Sequence, residues 1–171
     1  FGAATGGARS FCAMKHVGLN VAADPVFTLA YTGVRGGMVL VVADDPGIAS
    51  SQNEQDTRMI ARSAHLPVIE PSDSNEAKNF IKFAYDLSEK YDTPVFVRTT
   101  TRIAHSQSAV ECLDRVELEN KPYVKNMAKY AMMPANARPR HVVVEKREND
   151  LKADLSSFEN VNKVEILGKE L

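Results

Sequence analysis

An α/β domain, with a parallel sheet covered by helices on both faces in three layers, is the architecture expected of this 171-residue chain. Two patterns carry that expectation. Short β-type segments alternate with helical stretches of about 10–16 residues, the arrangement of βαβ units. One of those segments, Met38 to Ala43 (MVLVVA), is apolar without a break, as in a strand buried on both faces of a parallel sheet. The composition, 44% hydrophobic and 25% charged, is that of a globular protein.

Phe1 to Arg9 is rich in small residues, and its paired glycines suit a helix end packed close to a sheet or a ligand. Ser10 to His16 reads as a strand. Asp24-Pro25 starts a helix, with the aspartate as N-cap and the proline at the first position, running to about Val34. Gly36-Gly37 turns the chain into the MVLVVA strand. Asn53 to Ala64 is polar at first and then helical, with Ser51 or Asn53 as an N-cap on a plain reading. Leu66 to Ile69 is a short strand. Ser74 to Lys90 is the clearest helix: Ser74 caps it, and Ala77, Phe80, Ile81, Ala84 and Leu87 form one apolar stripe. Thr93 to Arg98 (TPVFVR) is a further strand. Beyond residue 110 charges become denser and aromatic residues thin out. Residues 1–110 are therefore expected to form the packed body. Residues 111–171 are expected to be a charged extension lying over it or a linker to a further domain. Within that extension Ala131 to His141 (AMMPANARPRH) holds two prolines and is expected to be extended. Pro139 to Asp154 has the pattern of a charged helix, and Val161 to Leu167 that of a strand or a lead-in.

Several function classes are set aside by the same residues. The net charge of -1 leaves no electrostatic footprint for nucleic acid or anionic lipid. No apolar run approaches the roughly 20 residues of a membrane span, and no basic-then-apolar leader is present. Cys12 and Cys112 are too far apart for a zinc or iron–sulfur ligand set. They read as reduced thiols of a cytoplasmic protein, Cys12 as core packing. There is no GxGxxG after a strand, no GxxxxGK[ST], no HExxH and no GxSxG. The chain opens on Phe1 rather than Met, which suggests a piece of a longer polypeptide.

In an open parallel sheet, ligands bind beyond the carboxyl ends of the strands. Three such ends are polar here. The first holds Lys15, His16, Val17, Gly18 and Leu19. The second holds Asp44, Asp45, Ser50, Ser51, Gln52 and Asn53 in a connection longer than the usual two to six residues. The third runs from Arg98 through Thr99 to Thr101 and Arg102. Each has an ordinary reading, as a salt bridge and a satisfied histidine, a solvated loop, or a β-edge. Adjacent acids usually point to different sides, which counts against Asp44 and Asp45 sharing a Mg²⁺. Three polar ends on one sheet edge together mark a candidate site.

The stretches GGARSFCAMKHVGLNVAADPVFTLAYTGVRGGMVLVVADDPGIASSQNEQDTR, LPVIEPSDSNEAKNFIKFAYDLSEKYDTPVFVRTTTRIAHS and MMPANARPRH resemble the first domain of indolepyruvate:ferredoxin oxidoreductase alpha subunits. Those belong to the thiamine-diphosphate-dependent 2-oxoacid:ferredoxin oxidoreductases. The resemblance implies a pyrimidine-type thiamine-diphosphate-binding domain. Lys15, His16, Val17, Gly18 and Leu19 would seat the aminopyrimidine. Asp44, Asp45, Ser50, Ser51, Gln52, Asn53 and Arg102 would approach the substrate. An aspartate stands where the pyruvate branch has a carboxylate-binding arginine, which leaves His16 or Arg102 for that task. The catalytic glutamate would lie upstream of Phe1, so no catalytic residue is assigned within the chain and the piece alone is expected to be inactive. The diphosphate with Mg²⁺ would sit on another domain and [4Fe-4S] clusters on a further region, so no cofactor is expected on this piece. The implied reaction is oxidative decarboxylation of an aryl-2-oxoacid to the acyl-CoA, with ferredoxin as acceptor. The implied partners are the remaining domains of the subunit, a beta subunit, ferredoxin, CoA and homo-oligomeric contacts. A free-standing flavodoxin-like nucleotide-binding module and a non-catalytic assembly domain are the alternatives. The absence of a phosphate loop counts against the first of these.

Overall fold

The computed structural model describes residues 1–158, 161–162 and 167–168. Along the chain these form α1 (Gly2–Thr5), β1 (Ser10–Lys15), α2 (His16–Val21), α3 (Ala23–Thr32), β2 (Met38–Asp44), α4 (Thr57–Ser63), β3 (Val68–Ile69), α5 (Ser74–Tyr91), β4 (Val95–Thr100), α6 (Thr101–His105), α7 (Met127–Tyr130) and α8 (Pro134–Ser156). The four strands make one parallel sheet in the order β1-β2-β4-β3. In register, Cys12 lies beside Leu40, Leu40 beside Phe96 and Phe96 beside Val68.

Alternation along the strands divides the core into two layers. Leu40, Val42 and Phe96 pack on one face with Leu19, Leu29, Ala30 and Ala61 of α2, α3 and α4. Val39, Val95 and Val97 pack on the other with Phe80, Ala84 and Leu87 of α5 and Leu151 of α8. The expected three-layer α/β arrangement is therefore present. The apolar β2 is buried on both sides, while edge strand β1 leaves Phe11 56% exposed. Cys12 packs half-buried against the core, and Cys112 is exposed.

The differences from expectation lie at element ends. His16 opens α2 instead of ending a strand. Lys15 is its extended N-cap, and Gly18 lets the helix fold back on Met14, whose Cβ would lie 3.2 Å from an added one. α3 begins at Ala23, so Asp24 sits inside the first turn: Ala22 closes α2 and opens α3 with no room for a capping loop. α3 ends at Gly33, whose φ of 68° and proximity to Asp92 exclude a side chain. The N-cap of α4 is Asp56, not Ser51 or Asn53, and that of α5 is Asp73, not Ser74. In each case the aspartate accepts a hydrogen bond from an N–H inside the first turn.

The largest correction concerns residues 131–141, expected to be extended and found mostly helical. Pro134 takes the first position of α8, where its missing donor costs nothing, and Pro139 follows inside the helix. Tertiary bonds offset the loss at Pro139: Arg140 donates to the Tyr31 carbonyl at 2.6 Å, and Arg147 donates to the carbonyls of Ala30 (2.7 Å) and Asp92 (3.1 Å). Burial pushes the Arg147 guanidinium down to about 10. The contacts of α8 with Tyr31, Asp92 and His65 all fall just before the strands begin, so α8 lies across the amino edge of the sheet. The charged helix expected from Pro139 to Asp154 lies within it. The strand expected over Val161 to Leu167 falls mainly on residues outside the described set.

Candidate functional site at the carboxyl edge of the sheet

Alternation places Asp44 and Arg98 on the α2–α4 face of the sheet, with Val42 beside Arg98 and Asp44 beside Thr100 in register, while His16 and Glu70 directly follow β1 and β3. Asp44 is buried, and its carboxylate is fully engaged. It accepts from the Thr57 N–H at 2.9 Å, the Thr57 hydroxyl at 2.5 Å and Arg98 Nε at 2.5 Å. Arg98 also pairs with Glu70, and Asp56 stands 3.7 Å away. Burial works against the charged guanidinium, but the hydrogen bonds and charges of Asp44 and Glu70 outweigh it and raise its pKa. Arg58 extends the network to Asp56 at 2.8 Å and Glu70 at 3.6 Å.

Asp45 points the other way, as adjacent residues of an extended chain must. It accepts from the Ser51 hydroxyl at 2.5 Å, the Ser50 N–H at 2.8 Å, the Thr101 hydroxyl at 2.8 Å and the Ala49 N–H at 3.2 Å. The Ser51 hydroxyl and these other donors hold the carboxyl well below the ordinary carboxylate range. The loop so gathered contains Gly47 at φ 78° and Ile48 at φ 55°. A β-branched residue in that region is an outlier. Glu54 closes the loop by accepting from the Gly47 N–H at 2.9 Å.

The long connection between β2 and α4 is tied to the β1–α2 junction at two points. Lys15 Nζ donates to the Ser50 carbonyl at 2.9 Å, and Asn20 Nδ2 donates to Gln55 Oε1 at 2.8 Å. In sequence between Lys15 and Asn20 stands His16, 0% exposed, with no hydrogen-bond partner at either ring nitrogen among the described residues. An unpaired buried polar group costs about 1–3 kcal/mol. Val17 and Gly18 are half-buried and Leu19 is fully buried. Gln52 and Asn53 are exposed, and Asn53 accepts from Gln55 at 2.7 Å. Arg102 projects from α6 as an exposed cation with no partner among the described residues. The structure thus brings the first two strand ends together, joins the third to them through Thr101, and leaves Arg102 at the rim.

Sequence reasoning placed Arg98 at the third strand end without giving it a role, and missed Thr57 and Glu70. Arg98 carried a usable signal: a cation at the buried end of an apolar strand requires acids on its neighbours, and Asp44 sits on the same face of β2. Elsewhere, a cavity of about 370 Å³ is lined by Arg62, His65, Leu66, Glu148, Leu151 and Leu155. It belongs to the opposite edge, and Glu148 there pairs with His65 and Lys152. Among the described residues no cluster of three or more His, Cys, Asp or Glu is arranged to hold a metal ion, and no helix is long and apolar enough to cross a membrane.

Fold and site define a class: a parallel α/β domain whose polar strand ends converge on one edge while a long helix covers the other. Residues 1–169 match the thiamine diphosphate-binding domain of pyruvate flavodoxin/ferredoxin oxidoreductases, and the chain belongs to that family. It is 47% identical over 162 residues to the indolepyruvate oxidoreductase subunit IorA of Methanothermobacter thermautotrophicus, covering 93% of this chain and 26% of the relative. It is 46% identical over 155 residues to the IorA subunit of Archaeoglobus fulgidus (86% and 24%), and 50% identical over 142 residues to that of Pyrococcus abyssi (79% and 22%). The chain thus spans about a quarter of the length of these relatives.

Two outcomes are expected of the anchors. The folded pKa of Asp45 is lowered, so its contribution to stability is present above its unfolded value of about 3.9 and is lost as pH falls toward the folded value. Urea midpoints of the native chain should therefore drop on acidification below about pH 4, and those of Asp45→Asn should drop less. Arg98→Met leaves Asp44 buried without its counter-charge and should cost about 3–5 kcal/mol in urea unfolding. Adding Asp44→Leu should recover part of that loss.

Proposed function

We propose that this chain is the part of a 2-oxoacid oxidoreductase that seats the aminopyrimidine half of thiamine diphosphate, and that the whole enzyme oxidatively decarboxylates aryl-2-oxoacids such as indolepyruvate to the acyl-CoA with ferredoxin as electron acceptor. The observation that carries this reading is the β1–α2 junction. There the half-buried Val17 and Gly18 follow a buried imidazole with unpaired nitrogens among the described residues, and a tethered polar connection is tied to the same junction. An apolar seat with a few polar atoms suits a flat heterocycle. The described residues fit that half of the cofactor only. They offer neither a phosphate-cradling glycine loop nor a metal cluster. The diphosphate and its Mg²⁺ accordingly belong to another part of the assembly, as do the [4Fe-4S] clusters. When bound, the cofactor supplies the carbon–carbon cleavage and electron uptake that side chains cannot.

This chain's own residues would then orient and enclose. Gly18 keeps α2 close to β1, and Leu19 locks the helix into the core, so the half-buried Val17 is held in place. Asp44 and Asp45 face inward and act as anchors for the connection whose Ser50, Ser51, Gln52 and Asn53 approach the substrate. Lys15 and Arg102 place positive charge at the edge where a 2-oxoacid carboxylate would arrive. Partner domains, a beta subunit and ferredoxin complete the proposed assembly, in keeping with relatives that are named as subunits.

Val17→Glu in the complete enzyme should weaken thiamine diphosphate binding by about tenfold or more, read by calorimetry, because it sets a charge against the seat. Unchanged affinity would overturn the seat. Arg102→Ala should raise KM for indolepyruvate about tenfold with kcat little altered, the signature of lost ground-state binding. An unchanged KM would remove Arg102 from the carboxylate role.

A further inference from the structure

The connection between β2 and α4 carries one branched aliphatic side chain, Ile48, which is 48% exposed and sits at φ 55°. A β-branched residue is poorly suited to the left-handed region, where glycine or asparagine fits at little cost. Strain of this kind persists only where the surroundings over-determine it. Here they do. The Ile48 N–H donates to the Asp45 carbonyl at 3.1 Å. The Asp45 carboxylate takes the N–H groups of Ala49 and Ser50 and the Ser51 hydroxyl, and Glu54 takes the Gly47 N–H. The turn is held from both ends, and what it holds out to solvent is an aliphatic side chain. The core gains nothing from Ile48, and asparagine in its place would relieve the backbone.

A second observation concerns what stands beside the turn. Asp45 Oδ1 accepts from the Ala49 N–H at 3.2 Å and from the Thr101 hydroxyl at 2.8 Å. Ala49 follows Ile48 and Thr101 precedes Arg102. One carboxylate oxygen thus joins the segment that bears the exposed isoleucine to the segment that bears an exposed arginine, and that arginine has no partner among the described residues. An aliphatic surface and a cation gathered at one sheet edge are complementary to an anion with an apolar body.

We propose that Ile48 is a specificity-determining residue whose side chain packs against the apolar body of a 2-oxoacid and so favours aryl over small aliphatic substrates. This rests on the reading that the connection approaches a 2-oxoacid. Ile48 touches no reacting bond, and Asp45 is the positioning residue that holds it. A loose loop loses conformational entropy when it closes on a substrate, whereas a turn fixed in advance presents its apolar area without that loss. The strained isoleucine has a use on this account: it is the one aliphatic contact the polar connection offers.

The test uses the complete enzyme with its partner chains. Ile48→Asn suits the left-handed backbone, so the melting temperature should stay unchanged or rise. At the same time kcat/KM for indolepyruvate should fall about tenfold relative to that for pyruvate, the scale of a lost aliphatic contact in a substrate pocket. Where pyruvate is not turned over, its inhibition constant against indolepyruvate serves as the reference. Ile48→Val keeps the branched side chain and should retain most of the preference. Ile48→Ala should show the same fall as Ile48→Asn and gives a second reading if the asparagine variant does not assemble. An unchanged ratio in an assembled variant overturns the role of Ile48. Equal losses on both substrates, or loss of a partner chain on size exclusion, make Ile48 a contact between domains and overturn it as well. A native enzyme that turns over no 2-oxoacid overturns the underlying reading, whereas activity on indolepyruvate with an unchanged ratio overturns this inference alone.

Discussion

The ion pair between Asp44 and Arg98 is the constraint on which the carboxyl edge depends. Two opposite charges taken from water into the end of an apolar sheet hold together only if each finds all its hydrogen bonds. Here the pair joins adjacent strands, and the second oxygen of Asp44 is occupied by Thr57, which brings the start of α4 against the end of β2. Glu70 takes the far side of the guanidinium and draws in the end of β3. One buried cation thereby sets the relative positions of three strand ends and one helix. The long connection that leaves β2 consequently starts and finishes at fixed points.

The two edges of the sheet have opposite characters for a related reason. At the amino edge α8 crosses the strand beginnings, and Arg147 satisfies the carbonyls that end α3 and α5. The carbonyls there have partners supplied by the same chain. At the carboxyl edge the acids are turned inward, while Lys15, Arg102 and the amides of Gln52 and Asn53 remain near solvent. In open parallel sheets the carboxyl edge is where ligands bind.

The body of the fold was legible because its signals are local and repeated. MVLVVA could hardly be anything but a central strand, and the stripe from Ala77 to Leu87 marks the inner face of α5. What could not be read depends on contacts distant in sequence. His-Val-Gly-Leu-Asn-Val has weak helical propensity, yet it closes into α2 because Gly18 fits against Met14. Ala131 to His141 has the composition of a loop, yet most of it is helix because Arg140 and Arg147 reach carbonyls more than 100 residues away. Single caps were missed by one to five residues, since Ser, Asn and Asp cluster before α4 and α5, and only packing decides which one accepts.

The candidate site shows the same division. That the strand ends matter was readable from their polarity alone. How the work is divided between neighbours was not. Asp44 and Asp45 look alike in sequence, and alternation sends one into a charge network and the other into a nest of hydroxyls and amides. Both are occupied by the protein itself, so neither is free to meet a ligand. The carboxylates of Asp44 and Asp45 shape the edge, and Lys15, Arg102, Gln52 and Asn53 stand beside them. On the proposed reading, such an edge would receive an anionic substrate and a neutral heterocycle. The balance follows from the inward turn of Asp44 and Asp45, and through Asp44 from the placement of a single arginine in β4.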